Sequence, residues 1–168
     1  MSLRVLYVCT GNAARSVMAV TMTRHRAPDL AVRGAGTFSI PGLPMSQRTR
    51  AALQTFGLSD REHRSHQLET DDCSWADVIV GFEPEHVDYI RRKHPEHAPR
   101  TATLPRLLRD LPHAPPALPD RLAGLGLHAI PVEPWEEVVD PAGGEQDVFD
   151  ACARQISGLV DEFLPRLR

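Results

Sequence analysis

The sequence has few cysteines, few aromatic residues and no excess of basic residues. Its three cysteines are far apart, odd in number and without the spacing of metal ligands, so neither a disulfide framework nor a zinc site is predicted. The formal net charge of -3 differs from the basic balance typical of nucleic-acid-binding proteins. The chain also contains no Walker loop, dinucleotide-binding fingerprint or internal repeat. We therefore expect no metal, no cofactor and no nucleic-acid partner.

Long hydrophobic runs are also missing, and none of the apolar segments is long enough to cross a membrane. The N-terminal run at residues 3–8 is too short for the apolar region of a signal peptide and is followed by no cleavage site. This pattern predicts a cytoplasmic protein without a membrane partner. A chain of 168 residues, 42% of them hydrophobic, predicts a single domain over residues 1–168 with a substantial core.

Hydrophobic periodicity predicts alternating strands and helices. Short apolar, β-branched runs predict strands at residues 3–8, 31–36, 76–80 and 100–104. Helical spacing and stop signals predict helices at residues 16–25, 46–56, 71–75, 84–94 and 145–164. Because strand and helix alternate, we expect an α/β fold with a parallel sheet.

The second half of the chain is rich in proline. Of the 15 prolines in the whole chain, ten lie between Pro95 and Pro141. This predicts a region of loops, although the leucines interspersed through it indicate that it still packs. The last helix is predicted to turn one apolar face inward. That face comprises Val148, Ala151, Cys152, Gln155, Ile156, Leu159, Val160 and Phe163.

The stretch from Cys9 to Arg15 lies where the first predicted strand ends and the first helix begins. Such a loop brings backbone N–H groups together at the positive end of a helix, which favours a doubly charged oxyanion such as phosphate. Gly11 and Asn12 are the residues for which a positive φ is least unfavourable. Ser16 is predicted to cap the helix. The stretch therefore predicts an anion site.

Two side chains in this loop could bind phosphate and attack it. The guanidinium of Arg15 can donate to two oxygens of a phosphate group. The same positive surroundings favour the thiolate form of Cys9, and a thiolate is a nucleophile. The loop is thus predicted both to bind the anion and to supply the attacking group.

Thiolate attack on a phosphate ester also needs an acid that protonates the departing oxygen. Asp140 is the candidate, because it lies in a loop rich in proline and glycine from which a carboxyl group could reach a pocket mouth. An aspartate at this position could equally serve as a turn residue or as the N-cap of the last helix. The residues alone leave these alternatives even.

The sequence resembles the low-molecular-weight protein tyrosine phosphatase family over nearly its whole length. The similar segments are Val8 to Ser16, Gly34-Ala35-Gly36-Thr37, Pro44-Met45, His63-Arg64-Ser65 and Asp140-Pro141. The resemblance implies a three-layer sandwich, in which helices flank a four-stranded parallel sheet. It places the site at the carboxyl end of the first strand, where open α/β sheets bind their ligands.

The resemblance also implies a role for each site residue. Cys9 would be the nucleophile, Arg15 would bind phosphate and the transition state, and Asp140 would act first as acid and then as base. Asn12 and Ser16 would hold the loop and the thiolate by hydrogen bonds, and His63 would support Asn12. The other residues of the phosphate-binding loop are Thr10, Gly11, Ala13 and Ala14.

Several positions depart from the family pattern. Ala14 replaces a cysteine that commonly lies beside the arginine, so a protective disulfide with Cys9 is not available there. Gly34 replaces a serine that usually supports the loop asparagine. Ile40 and Ala142 stand where family members often have aromatic pocket walls, each worth roughly 0.5–1.5 kcal/mol of stacking with a substrate ring. These losses point to weaker recognition of phosphotyrosine.

We therefore expect a phosphatase that hydrolyses phosphate monoesters through a cysteinyl-phosphate intermediate. Its partner would be a phosphorylated protein, carrying phosphotyrosine, or a smaller phosphate ester, and the protein would be a monomer or weak homodimer. One alternative is an arsenate reductase of related fold that recruits an external thiol. The other is a module that binds a phosphorylated ligand without catalysis, although an intact Cys9, Arg15 and Asp140 argue against it.

Overall fold

A computed structural model of the protein describes residues 1–168. One sheet is formed by four strands, β1 (Arg4–Cys9), β2 (Ala31–Gly36), β3 (Val78–Gly81) and β4 (Thr101–Thr103). All neighbouring strands are parallel, and their order is β2-β1-β3-β4. The chain first adds β2 on one side of β1 and then β3 on the other. The carboxyl end of β1 is therefore the switch point at which such sheets form a crevice.

Seven α-helices accompany the sheet: α1 (Arg15–Arg26), α2 (Gln47–Gln54), α3 (Thr70–Trp75), α4 (Pro84–Lys93), α5 (Leu104–Asp110), α6 (Leu118–Ala123) and α7 (Gln146–Phe163). Short 3₁₀ helices lie at Pro95–Arg100, Leu127–Ala129, Pro134–Glu136 and Leu164–Leu167. No helix combines the length and the apolar composition that a membrane crossing requires.

Helices cover both faces of the sheet, because alternate residues of β1 point to opposite sides. Val5 and Tyr7 belong to a core of 32 buried residues that also includes side chains of α1, α2, α5 and α7. Leu6 and Val8 belong to a smaller core of eight residues, with members on α3 and α4. This three-layer α/β sandwich confirms the predicted fold class.

The proline-rich region contains more regular structure than predicted. Helices α5 and α6 and three of the 3₁₀ helices lie within it. The packing expected of its leucines is present, since Leu107, Leu111, Leu118 and Leu122 are buried in the main core. Each of α4, α5 and α6 has a proline in its first turn. Because the first N–H groups of a helix have no acceptor within the helix, a proline there loses no hydrogen bond.

The predicted inward face of α7 is wrong at its edges. Val148, Ala151 and Gln155 are exposed, whereas Phe149 and Ala153 are buried. The helix is turned so that the face centred on Cys152, Ile156 and Val160 packs against α1 and α2. Phe149 consequently points toward the carboxyl end of β1, which brings an aromatic ring to the site described next.

Candidate active site

The loop between β1 and α1 presents Cys9 at the carboxyl end of the central strand. Cys9 is 2% exposed, and its Sγ lies 2.9 Å from the hydroxyl of Ser16. Asn12 adopts a left-handed backbone with φ of 51°, whereas Gly11 does not have a positive φ. Asparagine tolerates this conformation better than most residues. The loop can therefore turn sharply directly behind the sulfur.

Ser16 is not the helix cap that the sequence predicts. Ala14 is the N-cap of α1 and makes no side-chain cap hydrogen bond, and Ser16 lies within the first turn. The Ser16 hydroxyl accepts a 2.8 Å hydrogen bond from Asn12 Nδ2. Because its lone pair is used in this way, its own proton is free to be donated to Cys9 Sγ. The prediction of Ser16 as N-cap is wrong, because its hydroxyl contacts the sulfur of Cys9 and not the backbone of the helix.

Asn12 is fixed by contacts from the segment at residues 63–66. Its Oδ1 accepts from the backbone N–H of His66 at 3.0 Å, and its carbonyl accepts from Ser65 Oγ at 3.1 Å. His63 Nε2 lies 2.9 Å from the same carbonyl, which can only accept, so this nitrogen carries a proton. Burial lowers the pKa of His63, although this hydrogen bond opposes the shift. A neutral His63 thus supports the loop.

Two glycines of β2 allow the strand to approach the loop closely. A Cβ at Gly36 would lie 2.5 Å from the carbonyl oxygen of Thr10, which is closer than real contacts permit. A Cβ at Gly34 would lie 3.0 Å from Asn12 Nδ2, so the asparagine amide occupies the space that a side chain would need. Since Gly34 offers no hydroxyl, Ser16 is the side-chain acceptor for this amide.

Arg15 is 1% exposed and is held by acceptors from distant parts of the chain. Its Nη1 donates to Glu83 Oε2 and to the carbonyl of Val138, each at 2.8 Å. Its Nη2 makes longer contacts, 3.4 Å to Asp140 Oδ2 and 3.4 Å to Thr10 Oγ1. The protein thus occupies Nη1, which leaves the edge formed by Nε and Nη2 for an oxyanion.

Asp140 closes a turn, which is one of the roles considered for it, and also faces the site. Its Oδ1 accepts from the backbone N–H of Ala142 at 3.0 Å, which closes a local turn, while its Oδ2 faces Arg15. The side chain is 42% exposed and can therefore reach a ligand at the surface. The N-cap alternative is wrong, because Glu145 is the N-cap of α7.

These groups meet at a cavity of about 260 Å³. Seven predicted site residues line it: Cys9, Gly11, Ala13, Ala14, Arg15, Asp140 and Ala142. Four other predicted site residues do not line this cavity. Thr10, Asn12 and Ser16 belong to the loop but face away from the cavity, and His63 contacts the loop from behind. The structure thus brings the predicted nucleophile, cation and acid to one small cavity.

A larger cavity of about 480 Å³ lies behind the loop. Asn12, Gly34 and His63 line it, and Cys9, Arg15 and Asp140 do not. Its polar walls hold the back of the loop, whereas Cys9, Arg15 and Asp140 all line the smaller cavity. We therefore assign the candidate active site to the smaller one.

The predicted pocket wall at Ile40 is wrong. Ile40 is 67% exposed and does not line the cavity. The loop after β2 is hydrogen-bonded to Ser65. The carbonyl of Ser65 accepts from Gly42 N–H at 2.8 Å, and the N–H of Ser65 donates to the carbonyl of Leu43 at 2.7 Å. These hydrogen bonds hold the loop over residues 63–67 and away from Cys9.

Sequence reasoning also missed several residues of the site. Ser46 and Thr49, at the start of α2, line the cavity, and Thr49 Oγ1 donates to the carbonyl of Ala13 at 2.9 Å. Phe149 is an aromatic wall that comes from α7. Glu83, which holds Arg15, is the second residue after β3. The position of Glu83 at the carboxyl end of a parallel strand was the signal that could have identified it.

The remaining cysteines lie in the core, as predicted. Burial raises the pKa of Cys73 to about 12 and that of Cys152 to about 11, so both are thiols at neutral pH. All three cysteines are free, and no cluster of three or more His, Cys, Asp or Glu side chains could hold a metal ion. The candidate site is built from the cysteine predicted as nucleophile, a buried arginine and a carboxylate.

A thiol and a buried arginine that share one cavity at the carboxyl end of the central strand, on a doubly wound α/β sheet, are the features of a cysteine-dependent phosphatase-like protein. The family model described as low molecular weight phosphotyrosine protein phosphatase matches residues 4–120. The chain belongs to this family of hydrolases. Asp140 lies beyond the matched residues, so its assignment depends on the geometry of the site.

Known relatives are similar over nearly the whole chain. A protein-arginine-phosphatase of Geobacillus stearothermophilus is 27% identical, with 100% of this chain and 98% of that protein covered. A low molecular weight protein-tyrosine-phosphatase of Streptomyces coelicolor is 29% identical, with 100% of this chain and 95% of that protein covered. The chain is thus similar to family members named for two different phosphorylated side chains.

Solved structures show the same fold. The YwlE arginine phosphatase from Geobacillus stearothermophilus has a TM-score of 0.77 and 27% identity, with 95% of this chain and 89% of that chain covered. A low molecular weight protein tyrosine phosphatase from T. tengcongensis has a TM-score of 0.78 and 26% identity, with 97% and 98% covered. The four-stranded sandwich described above is therefore the fold of this family.

Proposed function

We propose that this enzyme removes phosphoryl groups from phosphorylated protein side chains through a covalent intermediate on Cys9. The observation that supports this most directly is the meeting of Cys9, Arg15 and Asp140 at one cavity. The core that runs from Val5 to Leu167 supports treating the whole chain as one catalytic domain.

In the first step, the thiolate of Cys9 attacks phosphorus and an S–P bond forms. The bond between phosphorus and the leaving group breaks, and Asp140 gives its proton to the departing atom. Ser16 donates to the sulfur, with its oxygen already held by the amide of Asn12. Arg15 and the loop N–H groups stabilise the charge on the equatorial oxygens.

In the second step, a water molecule attacks phosphorus on the side vacated by the leaving group. The Asp140 carboxylate accepts a proton from this water, the S–P bond breaks and the thiolate of Cys9 returns. Inorganic phosphate is released. Because Oδ2 of Asp140 lies 3.4 Å from Arg15 Nη2, the carboxyl group is already beside the cation that would hold the phosphate.

The cavity walls bear on the choice of substrate. Phe149 is the aromatic residue in the lining, and the residues after Asp140-Pro141 are small. A phosphotyrosine ring could contact Phe149 on one side, while Ala142 and Gly143 would provide little area for stacking. We infer that aryl and smaller phosphate groups both enter this site.

Phosphoarginine is a second candidate substrate. The Geobacillus stearothermophilus relative reported above, and the solved structure from the same organism, are named as arginine phosphatase and cover nearly the whole chain. Once Asp140 has given its proton to the departing nitrogen, its exposed carboxylate would face the guanidinium that leaves, and such pairs form strong hydrogen bonds. This ion pair favours phosphoarginine as a substrate, whereas the small cavity walls do not favour it.

Arsenate reduction through an internal relay of cysteines receives less support from the site, whereas a reductase that recruits an external thiol remains the alternative that the turnover assay tests. A relay of oxidation to Cys73 or Cys152 would need a reactive thiolate, and burial raises the pKa of both thiols well above neutral. Phosphoryl transfer requires only groups that already face the cavity.

A turnover assay tests the proposed function. Release of phosphate would be measured from peptides carrying phosphotyrosine, phosphoarginine or phosphoserine and from nitrophenyl phosphate, with the wild type and Cys9→Ala. We expect release that depends on Cys9 and favours phosphotyrosine or phosphoarginine. Release from Cys9→Ala at the wild-type rate, or from no substrate at all, would contradict the proposal.

The same assay with Asp140→Asn tests the general acid. General acid catalysis contributes about 10²–10⁴-fold, so poor leaving groups should lose rate by this amount. Nitrophenyl phosphate, whose leaving group needs little protonation, should lose less in the first step, which is measured as the burst of nitrophenol. An equal loss of burst rate with good and poor leaving groups would refute the role of Asp140.

A further inference from the structure

His86 is a fully buried histidine directly behind the candidate active site. It lies on the first turn of α4 and is 0% exposed. Its Cβ packs against Gly81, where an added Cβ would lie only 2.9 Å away. A glycine at the end of β3 therefore makes room for an imidazole ring in the interior, in contact with the loop that carries Cys9.

The hydrogen bonds of His86 define its protonation. The backbone N–H of Phe82 donates to Nδ1 at 3.0 Å, so this nitrogen carries a lone pair. Nε2 faces two acceptors, Thr10 Oγ1 at 3.0 Å and Glu83 Oε1 at 3.8 Å. A neutral ring must then carry its proton on Nε2 and donate it to Thr10. Burial, together with the nearby Arg15 guanidinium, lowers the pKa of His86 to about 3, which keeps the ring neutral near pH 7.

This arrangement determines what the Thr10 hydroxyl can do. Its oxygen accepts from His86 and also lies 3.4 Å from Arg15 Nη2, the nitrogen nearest to Asp140. With its lone pairs turned toward these two donors, the hydroxyl must point its own proton elsewhere. The Thr10 oxygen therefore links the neutral ring of His86 to the Nη2 side of Arg15, which lines the cavity.

We propose that His86 is a positioning residue that acts through Thr10, holding the Nη2 side of Arg15 toward the transferred phosphoryl group. This inference rests on the proposed function. A neutral imidazole suits the task, because it donates a directed hydrogen bond without placing a second positive charge beside Arg15. Glu83 meanwhile holds the opposite nitrogen, Nη1, at 2.8 Å.

Two substitutions separate the two ring nitrogens. In His86→Asn, the amide oxygen can still accept from Phe82 N–H, but the side chain is too short to reach Thr10. In His86→Gln, the longer amide can donate to Thr10 from the place of Nε2. Thr10→Val removes the hydroxyl through which His86 would act. His94→Asn is a matched control, because buried His94 also contacts a threonine, Thr70 at 3.2 Å, away from the site.

The experiment measures kcat/KM and the affinity for inorganic phosphate in these variants and in the double variant of Thr10 and His86. His86→Asn should lower kcat/KM about tenfold, the effect of one hydrogen bond, and weaken phosphate binding, while His86→Gln restores most of both. In the Thr10→Val background, His86→Asn should change either quantity less than about twofold, since the path through Thr10 is already lost. His94→Asn should match the wild type.

Three results would overturn the proposal: an undiminished effect of His86→Asn in the Thr10→Val background, no recovery in His86→Gln, or an equal loss in His94→Asn. Nitrogen NMR of the wild-type protein tests the tautomer without any variant, and a proton on Nδ1 would also overturn it. If the wild type binds phosphate but releases none from any substrate, the proposed function fails while the phosphate affinities still test the positioning role.

Discussion

At the scale of single residues, the site depends on side chains that hold one another. Asn12 supports Ser16 through its amide nitrogen and is itself held by the backbone of His66 through its amide oxygen. Ser16 then contacts the sulfur of Cys9. The sulfur proposed as nucleophile is therefore the last member of a chain of hydrogen bonds, and its geometry depends on a residue that does not line the cavity.

Asn12→Ala should destabilise the protein by about 1–3 kcal/mol and lower kcat, because it leaves the His66 N–H unpaired and frees Ser16. Urea unfolding and turnover measure the two effects. Asn12→Gly is the matched variant, since glycine tolerates the φ of 51° but makes neither side-chain hydrogen bond. If Asn12→Gly were as stable and active as the wild type, the hydrogen bonds assigned to Asn12 would be unimportant.

At the scale of elements, the segment that presents Asp140 is anchored well before it reaches the site. Glu136, in the 3₁₀ helix at Pro134–Glu136, accepts from Arg106 of α5 and from Thr103 of β4, both at 2.8 Å. The backbone of Val138 then donates to Phe82 at 2.6 Å and accepts from Arg15. Asp140 therefore extends from a segment that is bonded to the end of the sheet.

Glu136→Gln should destabilise the protein by about 1–3 kcal/mol, because Glu136 is 1% exposed and its carboxylate is the closest one to buried Arg106, which keeps ion pairs with Asp110 and Glu133. Urea unfolding measures this change. Asp29→Asn provides the control, since Asp29 and Arg168 form an exposed pair whose loss should cost about 0–1 kcal/mol. Equal effects in the two variants would show that Glu136 does not anchor the segment.

At the scale of the whole molecule, buried histidines link stability to pH. The pKa of His86 falls to about 3 in the folded protein, and burial also lowers the pKa values of His63 and His97. A histidine in the unfolded chain has a pKa of about 6.5 and therefore binds a proton at higher pH than the folded protein does. The stability linked to these histidines is therefore fully present above pH 6.5 and is lost progressively as the pH falls below that value.

The free energy of unfolding should fall between pH 7.5 and pH 5, approaching about 1.4 kcal/mol per pH unit from His86 alone once the pH is well below 6.5. Urea unfolding at several pH values measures this slope. His86→Gln has no imidazole to protonate and should show a smaller slope than the wild type. A stability that is constant over this range, or an unchanged slope in His86→Gln, would contradict the assignment of His86 as a buried neutral ring.

The sequence predicts local features of this fold well. The order of strands and helices follows from periodicity, and the positive φ of Asn12 follows from the few residues that tolerate it. Features that depend on contacts between distant residues were not predictable. Arg15 meets Glu83 across 68 positions and Val138 across 123, and the loop carrying Ile40 is placed by hydrogen bonds to the segment near Ser65.

Phosphorus NMR of enzyme denatured during turnover tests the central claim, that a phosphoryl group passes through Cys9. Nitrophenyl phosphate would be used with the wild type, Asp140→Asn and Cys9→Ala. Since Asp140→Asn forms the intermediate with a good leaving group but hydrolyses it slowly, we expect a thiophosphate signal on the protein that is largest in this variant and missing in Cys9→Ala. Turnover without any S–P signal, or an equal signal in Cys9→Ala, would contradict the account.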